Sequence, residues 1–207
     1  MNWLSAFKFR LNTLAIVLIP VCIGIDFAGH AIASGLKFPL FLDSVGTVLG
    51  GLLAGPWVGG IAGLITNFIS SGTIDPIAAP YCVVSLALGF AAGIGGYLAL
   101  QRRPSGWITL WIACFLVASI LSTPLNIKLY SGQSGVWLGD GIYAFLVKAH
   151  VPGWISSYID EASIDLPDKL ITVLVALFIY TGLPRRYRSL FRVWRDAGVE
   201  DTQAAGA

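Results

Sequence analysis

Charge is the scarcest feature of this chain. Only 12% of its 207 residues are Asp, Glu, Lys or Arg, about half the share usual in a water-soluble domain. That shortage argues against a soluble globular protein and against a nucleic-acid partner. Cysteine is scarce too. Cys22, Cys82 and Cys114 lie far apart inside apolar stretches, a spacing that suits neither a disulfide framework nor a metal site. The two histidines, His30 and His150, are too few for an ordinary histidine metal centre. No HExxH, GxSxG or GxxxxGK[ST] pattern occurs, so the usual zinc, serine-nucleophile and phosphate-loop chemistries have no carrier. The expectation is a non-enzyme without a cofactor, and any active transport has to draw energy from another subunit.

What is abundant is apolar sequence. Hydrophobic residues make up 56% of the chain and the mean hydropathy is +0.78. They come in long blocks separated by short polar stretches, the pattern of membrane helices. Crossing a hydrocarbon layer of ~30 Å takes about 20 helical residues. Segments 11–33, 78–100, 107–130 and 166–183 meet or approach that length. The first is too long for the core of a cleavable signal and lacks a small-residue cleavage site, so it reads as a first membrane helix. Stretch 42–71 is either one long helix or two short ones, 42–55 and 56–71. Gly55-Pro56 favours two, because proline lacks an amide donor and clashes with the preceding turn.

The basic residues separate the two cases. Lys and Arg gather on cytoplasmic flanks. With six spans, Lys8, Arg10, Arg102, Arg103, Arg185, Arg186, Arg188, Arg192 and Arg195 share the cytoplasmic side, against Lys37, Lys128, Lys148 and Lys169 outside. With five spans the arginine clusters fall opposite Lys8 and Arg10. The expected fold is therefore an all-α integral membrane protein. It is a compact bundle of six transmembrane helices within residues 1–195, its second and third helices short and both termini cytoplasmic. Residues 196–207 read as a polar, disordered tail. Outer loops are expected at 34–39 and 71–76. Segment 131–165 is longer than a plain connection and holds an apolar piece, 142–151, too short to span. It suits an interfacial helix or a lid.

Small residues recur four apart: Gly46/Gly50, the series Gly51, Gly55, Gly59, Gly63, and Gly89/Gly93. In lipid such spacing lets helix backbones approach closely, either inside the bundle or against another membrane subunit. Polar residues gather in the outer halves of the helices: Asp26 with His30, Asp43 with Thr47, Thr66 to Ser71, a stripe of Ser119, Ser122, Thr123 and Asn126, and a stripe of Asp165, Asp168, Lys169 and Thr172. Polar groups at membrane depth are costly and tend to be functional. Each also has a plain structural reading. Asp26 and His30 suit a mutual pair, and Asp43 suits a helix cap. Asp165 and Asp168, beside Pro167, suit a helix start, and Asp165 with Lys169 suits an i, i+4 pair. The shared depth of the stripes points to a polar cavity open to the outside, beneath segment 131–165. Its candidate ligand contacts are Asp43, Asn67, Asn126, Asp168 and Lys169, with Tyr81, Trp137 and Tyr143 covering an aromatic or heterocyclic face.

Phe41-Leu42-Asp43-Ser44-Val45-Gly46-Thr47, then Gly55-Pro56-Trp57-Val58-Gly59 and Thr66-Asn67, resemble the second and third helices of the substrate-binding S components of energy-coupling factor (ECF) transporters. Leu166-Pro167-Asp168-Lys169-Leu170-Ile171, leading to Leu183-Pro184-Arg185-Arg186, resembles their last helix. The resemblance implies a six-helix protein of the bacterial cell (inner) membrane that captures a vitamin or related micronutrient from outside. It also implies a transmembrane coupling subunit carrying two ATPase subunits. One feature departs from many such proteins: an Ala-x-x-x-Ala surface on the first helix is lacking, Ala15 being followed at i+4 by Ile19, which leaves a shared or a dedicated coupling module open. Outside the resemblance, a stand-alone membrane receptor, sensor or facilitator without its own energy source fits the same composition, though the short tail offers no output domain.

Overall fold

The computed structural model describes residues 13–191, and these are all-helical apart from their connections. In chain order the helices are α1 (Thr13–Gly35), α2 (Val45–Ala54), α3 (Pro56–Ser71), α4 (Cys82–Tyr97), α5 (Pro104–Leu129), α6 (Trp137–Lys148), α7 (Gly153–Gly182) and α8 (Arg185–Leu190). A 3-10 turn over Ala79–Tyr81 leads into α4 and another, Leu100–Arg102, precedes α5. Lys8, Arg10, Arg192, Arg195 and the expected 196–207 tail lie outside the described residues.

The distribution of polarity is that of a membrane protein. Large apolar side chains point outward: Val17, Val21 and Ile32 on α1, Ile108 and Ile120 on α5, and Phe178, 79% exposed, on α7. Buried positions hold instead small residues and polar groups such as Asp26, Asn126, Asp165 and Lys169. A soluble domain does not leave so much apolar surface bare. Three helical stretches are long and apolar enough to cross a membrane, Thr13–Gly35, Ala79–Tyr97 and Pro104–Leu129. The chain is a helical, membrane-embedded protein. Helix α7 has the length, at 30 residues, but carries Asp160, Glu161, Asp165, Asp168 and Lys169 on its buried side.

Helix α2 explains how a segment too short to span is kept from lipid. All ten of its residues are buried, with α1, α3, α4 and α7 packed around it. The chain turns at Gly55, whose φ of +97° suits glycine, and α3 starts on Pro56 at the position where a missing amide does no harm. The glycine series forms the α2–α3–α4 contact. A Cβ on Gly89 would lie 2.2 Å from the Gly60 amide nitrogen, one on Gly59 2.6 Å from the Thr47 carbonyl oxygen, and one on Gly51 2.9 Å from the Gly89 carbonyl oxygen. These glycines are internal packing surfaces. Gly46 does the same against α1, its Cβ position lying 2.1 Å from the Cys22 carbonyl oxygen.

Three local expectations are corrected. α7 starts at Gly153, well ahead of residue 166, so Asp165 and Asp168 stand in mid-helix around an internal Pro167 rather than at a helix start. Nothing between Trp154 and Leu166 breaks a helix, and that run simply extends the last helix outward. Asp43 does not cap α2. The first amides of α2 are held by Asp26 of α1, whose carboxylate accepts from Gly46 N at 2.6 Å, Thr47 N at 3.0 Å and Thr47 Oγ1 at 2.7 Å. Asp26 therefore does not pair with His30, whose Nδ1 lies 3.4 Å from Ser70 Oγ. The apolar piece of segment 131–165 belongs to α6, where only Gly139 is buried. With Trp137 and Phe145 exposed, α6 has the character of an interfacial helix lying against α7.

Candidate binding cavity

The ends of six helices and their loops meet at one end of the bundle. Cross-links between elements place them: Asp26 of α1 on the start of α2, His30 on Ser70 at the end of α3, Asn67 of α3 on Ser85 of α4, Tyr81 ahead of α4 on Asn126 of α5, Asn126 on Glu161 of α7, and Lys169 of α7 on Ser44. Between them lies a cavity with about 600 Å³ of atom-free space, its open mouth included.

Lys169 organises one wall. Its Nζ donates to Asp168 Oδ2 at 2.7 Å and to Ser44 Oγ at 3.2 Å, and lies 3.7 Å from Asp165 Oδ1 and 3.9 Å from Asp43 Oδ1. It also sits 5.8 Å from the centre of the Phe41 ring, a cation–π distance. Asp168 turns its other oxygen to the α1–α2 loop, where Phe41 N and Leu42 N donate to Oδ1 at 3.1 and 2.8 Å. Asp168 thus pins the loop that carries Phe41, Asp43 and Ser44 into the cavity wall. Leu42 adopts φ +49° there, a conformation uncommon for a non-glycine residue.

The opposite wall is built on Asn126. It is fully buried, its amide donates to Glu161 Oε2 at 2.7 Å, and its carbonyl accepts the Tyr81 hydroxyl. Tyr81 stacks on Tyr130 with ring centres 6.1 Å apart. Asn67 gives its amide hydrogens to Gly63 O at 3.1 Å and Ser85 Oγ at 2.5 Å. What it offers the cavity is its carbonyl oxygen. Asp165 accepts from Ser119 Oγ at 2.9 Å, and Asp160 is held by Ser134 N and Oγ at 3.1 and 2.7 Å. Threonines along these helices often bond their own backbone, as Thr66 does to Ala62 O and Thr123 to Ser119 O, the ordinary habit of hydroxyls in membrane helices.

The sequence-based candidates divide into three groups. Asp43, Asn67, Tyr81 and Lys169 line the cavity. Asn126 and Asp168 stand behind the lining and hold residues that do, so they are positioning residues rather than contacts. Trp137 and Tyr143 lie outside. Trp137 is 64% exposed and donates to Lys37 O at 3.4 Å, while Tyr143, half-buried, donates to Ser131 O at 2.8 Å. Both belong to the exposed helix α6, which does not fold over the cavity, and segment 131–165 reaches the lining through Ser134 and, in α7, through Glu161 and Asp165. Beside the aliphatic Ile77, Ala78, Val84, Leu88 and Ala118, the lining residues absent from the candidates are His30, Phe41, Ser44, Asp75, Ser85, Ser122, Ser134, Glu161 and Asp165. Glu161 was legible in principle: it stands four residues before Asp165 on the same helical face, once the helix is seen to start at Gly153.

At the other end of the bundle, Arg102, Arg103, Arg186 and Arg188 lie near the close of α4 and α7, where Gln101 Nε2 reaches Tyr180 OH at 3.4 Å and Trp107 Nε1 reaches Gln101 O at 3.1 Å. The acids and the arginines therefore occupy opposite ends. Among the described residues, no cluster of three or more His, Cys, Asp or Glu is arranged to hold a metal ion. Comparison with protein-family models, with curated proteins and with solved structures returns no match.

Proposed function

We propose that this chain is the substrate-capture subunit of an ECF-type importer, residing in a bacterial cell (inner) membrane. It binds a vitamin or related micronutrient from the outside and delivers it inward together with a coupling subunit and two ATPases. In this reading the bundle crosses six times with both termini cytoplasmic. Helices α2 and α3 form one re-entrant-length pair shielded by their neighbours, and α7 crosses despite its ionisable residues because these face the bundle interior. The observation that carries the proposal is a polar-walled cavity at one end of a membrane bundle, opposite the arginine-rich end. Among its lining residues, Phe41, Asp43, Ser44, Asn67 and Lys169 come from the stretches that resemble S components.

Purified full-length protein, extracted for bound small molecules and identified by mass spectrometry, is expected to release one micronutrient-sized compound. Reconstituted alone in liposomes, the protein is expected to bind that compound and to equilibrate it slowly at most, with no ATP hydrolysis. Accumulation against a gradient by the lone protein overturns the proposal. Reporter fusions after Arg103 and after Arg195 are expected to read cytoplasmic, and an external signal at either point overturns the six-crossing arrangement.

A further inference from the structure

We infer that the cavity selects an organic cation, a ligand with an ammonium or comparably donor-rich nitrogen group beside an aromatic or apolar body. The inference rests on the capture reading above and names the ligand class of the same cavity.

The charge balance of the lining is one-sided. Asp43, Asp75, Glu161 and Asp165 line it, against Lys169 and the imidazole of His30. Lys169 is already engaged: Asp168 takes its shortest contact at 2.7 Å from behind the wall, Ser44 accepts a second proton, and Asp165 and Asp43 share its remaining field. Two of its three protons are hydrogen-bonded, to Asp168 and Ser44, and the third lies in the field of Asp165 and Asp43, so an anionic guest would meet an ammonium already balanced by carboxylates. Glu161 is different. It is 3% exposed, it lines the cavity, and its Oε2 accepts from the neutral amide of Asn126. No lysine or arginine among the described residues lies within ion-pair distance of it. A buried carboxylate without a cation is costly, and a cationic guest in the cavity removes that imbalance.

The neutral groups agree. Because the Asn67 amide hydrogens are committed to Gly63 and Ser85, Asn67 presents an acceptor. The Tyr81 hydroxyl hydrogen goes to Asn126, so Tyr81 presents a ring face and an acceptor oxygen. Asn67, Tyr81 and the carboxylates thus turn acceptors to the space, with the Ser44 and Ser85 hydroxyls and the His30 ring as neutral donors beside them, a balance that suits a donor-rich guest. Phe41 and Tyr81 supply aromatic surface of the kind that attracts cations. The acids surround the space rather than converge, with no group of three placed for a metal ion, which favours an extended organic cation over a bare divalent ion.

The test uses three probes of nearly equal shape on full-length protein in lipid nanodiscs: benzylammonium, benzyl alcohol and benzoate, with binding measured by calorimetry near neutral pH. Benzylammonium is expected to bind at least tenfold tighter than benzyl alcohol, and benzoate more weakly still. Glu161→Gln is expected to lower benzylammonium affinity by about tenfold, the usual scale for a lost charge-assisted hydrogen bond, with a smaller loss for benzyl alcohol, which has no charge to pair. Should Glu161→Gln fail to fold, Asp75→Asn in the partly exposed α3–α4 connection carries the same expectation at smaller size. Benzoate binding as well as benzylammonium overturns the cationic class and leaves the capture reading standing. Benzylammonium binding that both variants leave untouched overturns the assignment to these carboxylates. Absence of saturable binding by all three overturns the cationic class, while release of a micronutrient-sized compound from the purified protein keeps the capture reading standing.

Discussion

The two ends of this bundle are held together in opposite ways. At the arginine end and through the middle, α2, α3 and α4 meet backbone to backbone across glycines, and the surrounding core is apolar: Val48, Leu49, Leu52, Val58, Leu88, Leu110, Val173 and Leu177. At the acidic end the helices are linked by side-chain hydrogen bonds and by the contacts of Lys169. In lipid the first kind of packing depends on shape, since burying apolar surface away from apolar chains gains little, while the second depends on leaving no polar group unpaired. The difference predicts a rigid base and an adjustable mouth. Loops pinned by a single carboxylate can open for a guest, whereas backbones in direct contact across glycine cannot.

The largest effect is expected at the base. Gly89→Val places side-chain atoms where the Gly59–Gly60 backbone already lies, and overpacking of that severity costs about 3 kcal/mol or more. Thermal unfolding in detergent should show a large drop or no folded protein, and an unchanged melting temperature would remove the rigid-base half of the comparison. Next comes Asp168→Ala, which frees the Phe41 and Leu42 amides and strips Lys169 of its nearest partner. Breaking one side of a buried ion pair costs about 3 kcal/mol, seen here as lowered stability and as faster proteolysis in the α1–α2 loop; unaltered cleavage there would deny Asp168 its role as the pin.

Asn126→Ala leaves the Tyr81 hydroxyl and Glu161 without their shared partner. A buried polar group left alone costs about 1–3 kcal/mol, so the affinity for the copurifying compound should fall roughly ten- to a hundredfold. The loss should occur although Asn126 lies behind the cavity lining. A smaller change is expected for Asp43→Asn, because Asp43 is partly exposed and only grazes Lys169 at 3.9 Å; stability should change by less than about 1 kcal/mol. A larger loss would show that Asp43, not Asp168, anchors Lys169. Smallest of all are Trp137→Phe and Tyr143→Phe on exposed α6, where ligand affinity should stay within twofold. A strong loss at either would bring α6 back as a cover for the site.

Membrane embedding was legible because it depends on composition summed over long windows, which needs no knowledge of partners. The break at Gly55-Pro56 was legible because it is local stereochemistry: a proline without an amide and a glycine able to take positive φ. The close packing of α2, α3 and α4 was half legible. Glycine at every fourth position announces a close approach, but whether the approach is to a neighbour in the same bundle or to another subunit is set by which helices meet. The site divided along the same line. Lys169 and Asn67 could be picked out by depth along their helices, and Asp43 and Tyr81 by standing just ahead of α2 and α4.

Residues whose roles depend on a distant partner could not be read that way. Asp26 caps a helix that starts at residue 45, Asp168 holds amides at 41 and 42, and Asn126 bridges 81 and 161. Trp137 and Tyr143 looked like a cover for the cavity because they stand in a long outer segment, and only the packing of α6 turned them outward. The sequence by itself determined that the chain lives in a membrane, where its helices break, and which side chains share a depth, since hydropathy and backbone stereochemistry act within one helix. The tertiary structure decided which carboxylate meets which amide, which ones face open space and which are already paired. Those outcomes depend on atoms from twenty to more than a hundred residues apart along the chain being brought within about 3 Å, the range over which a hydrogen bond acts.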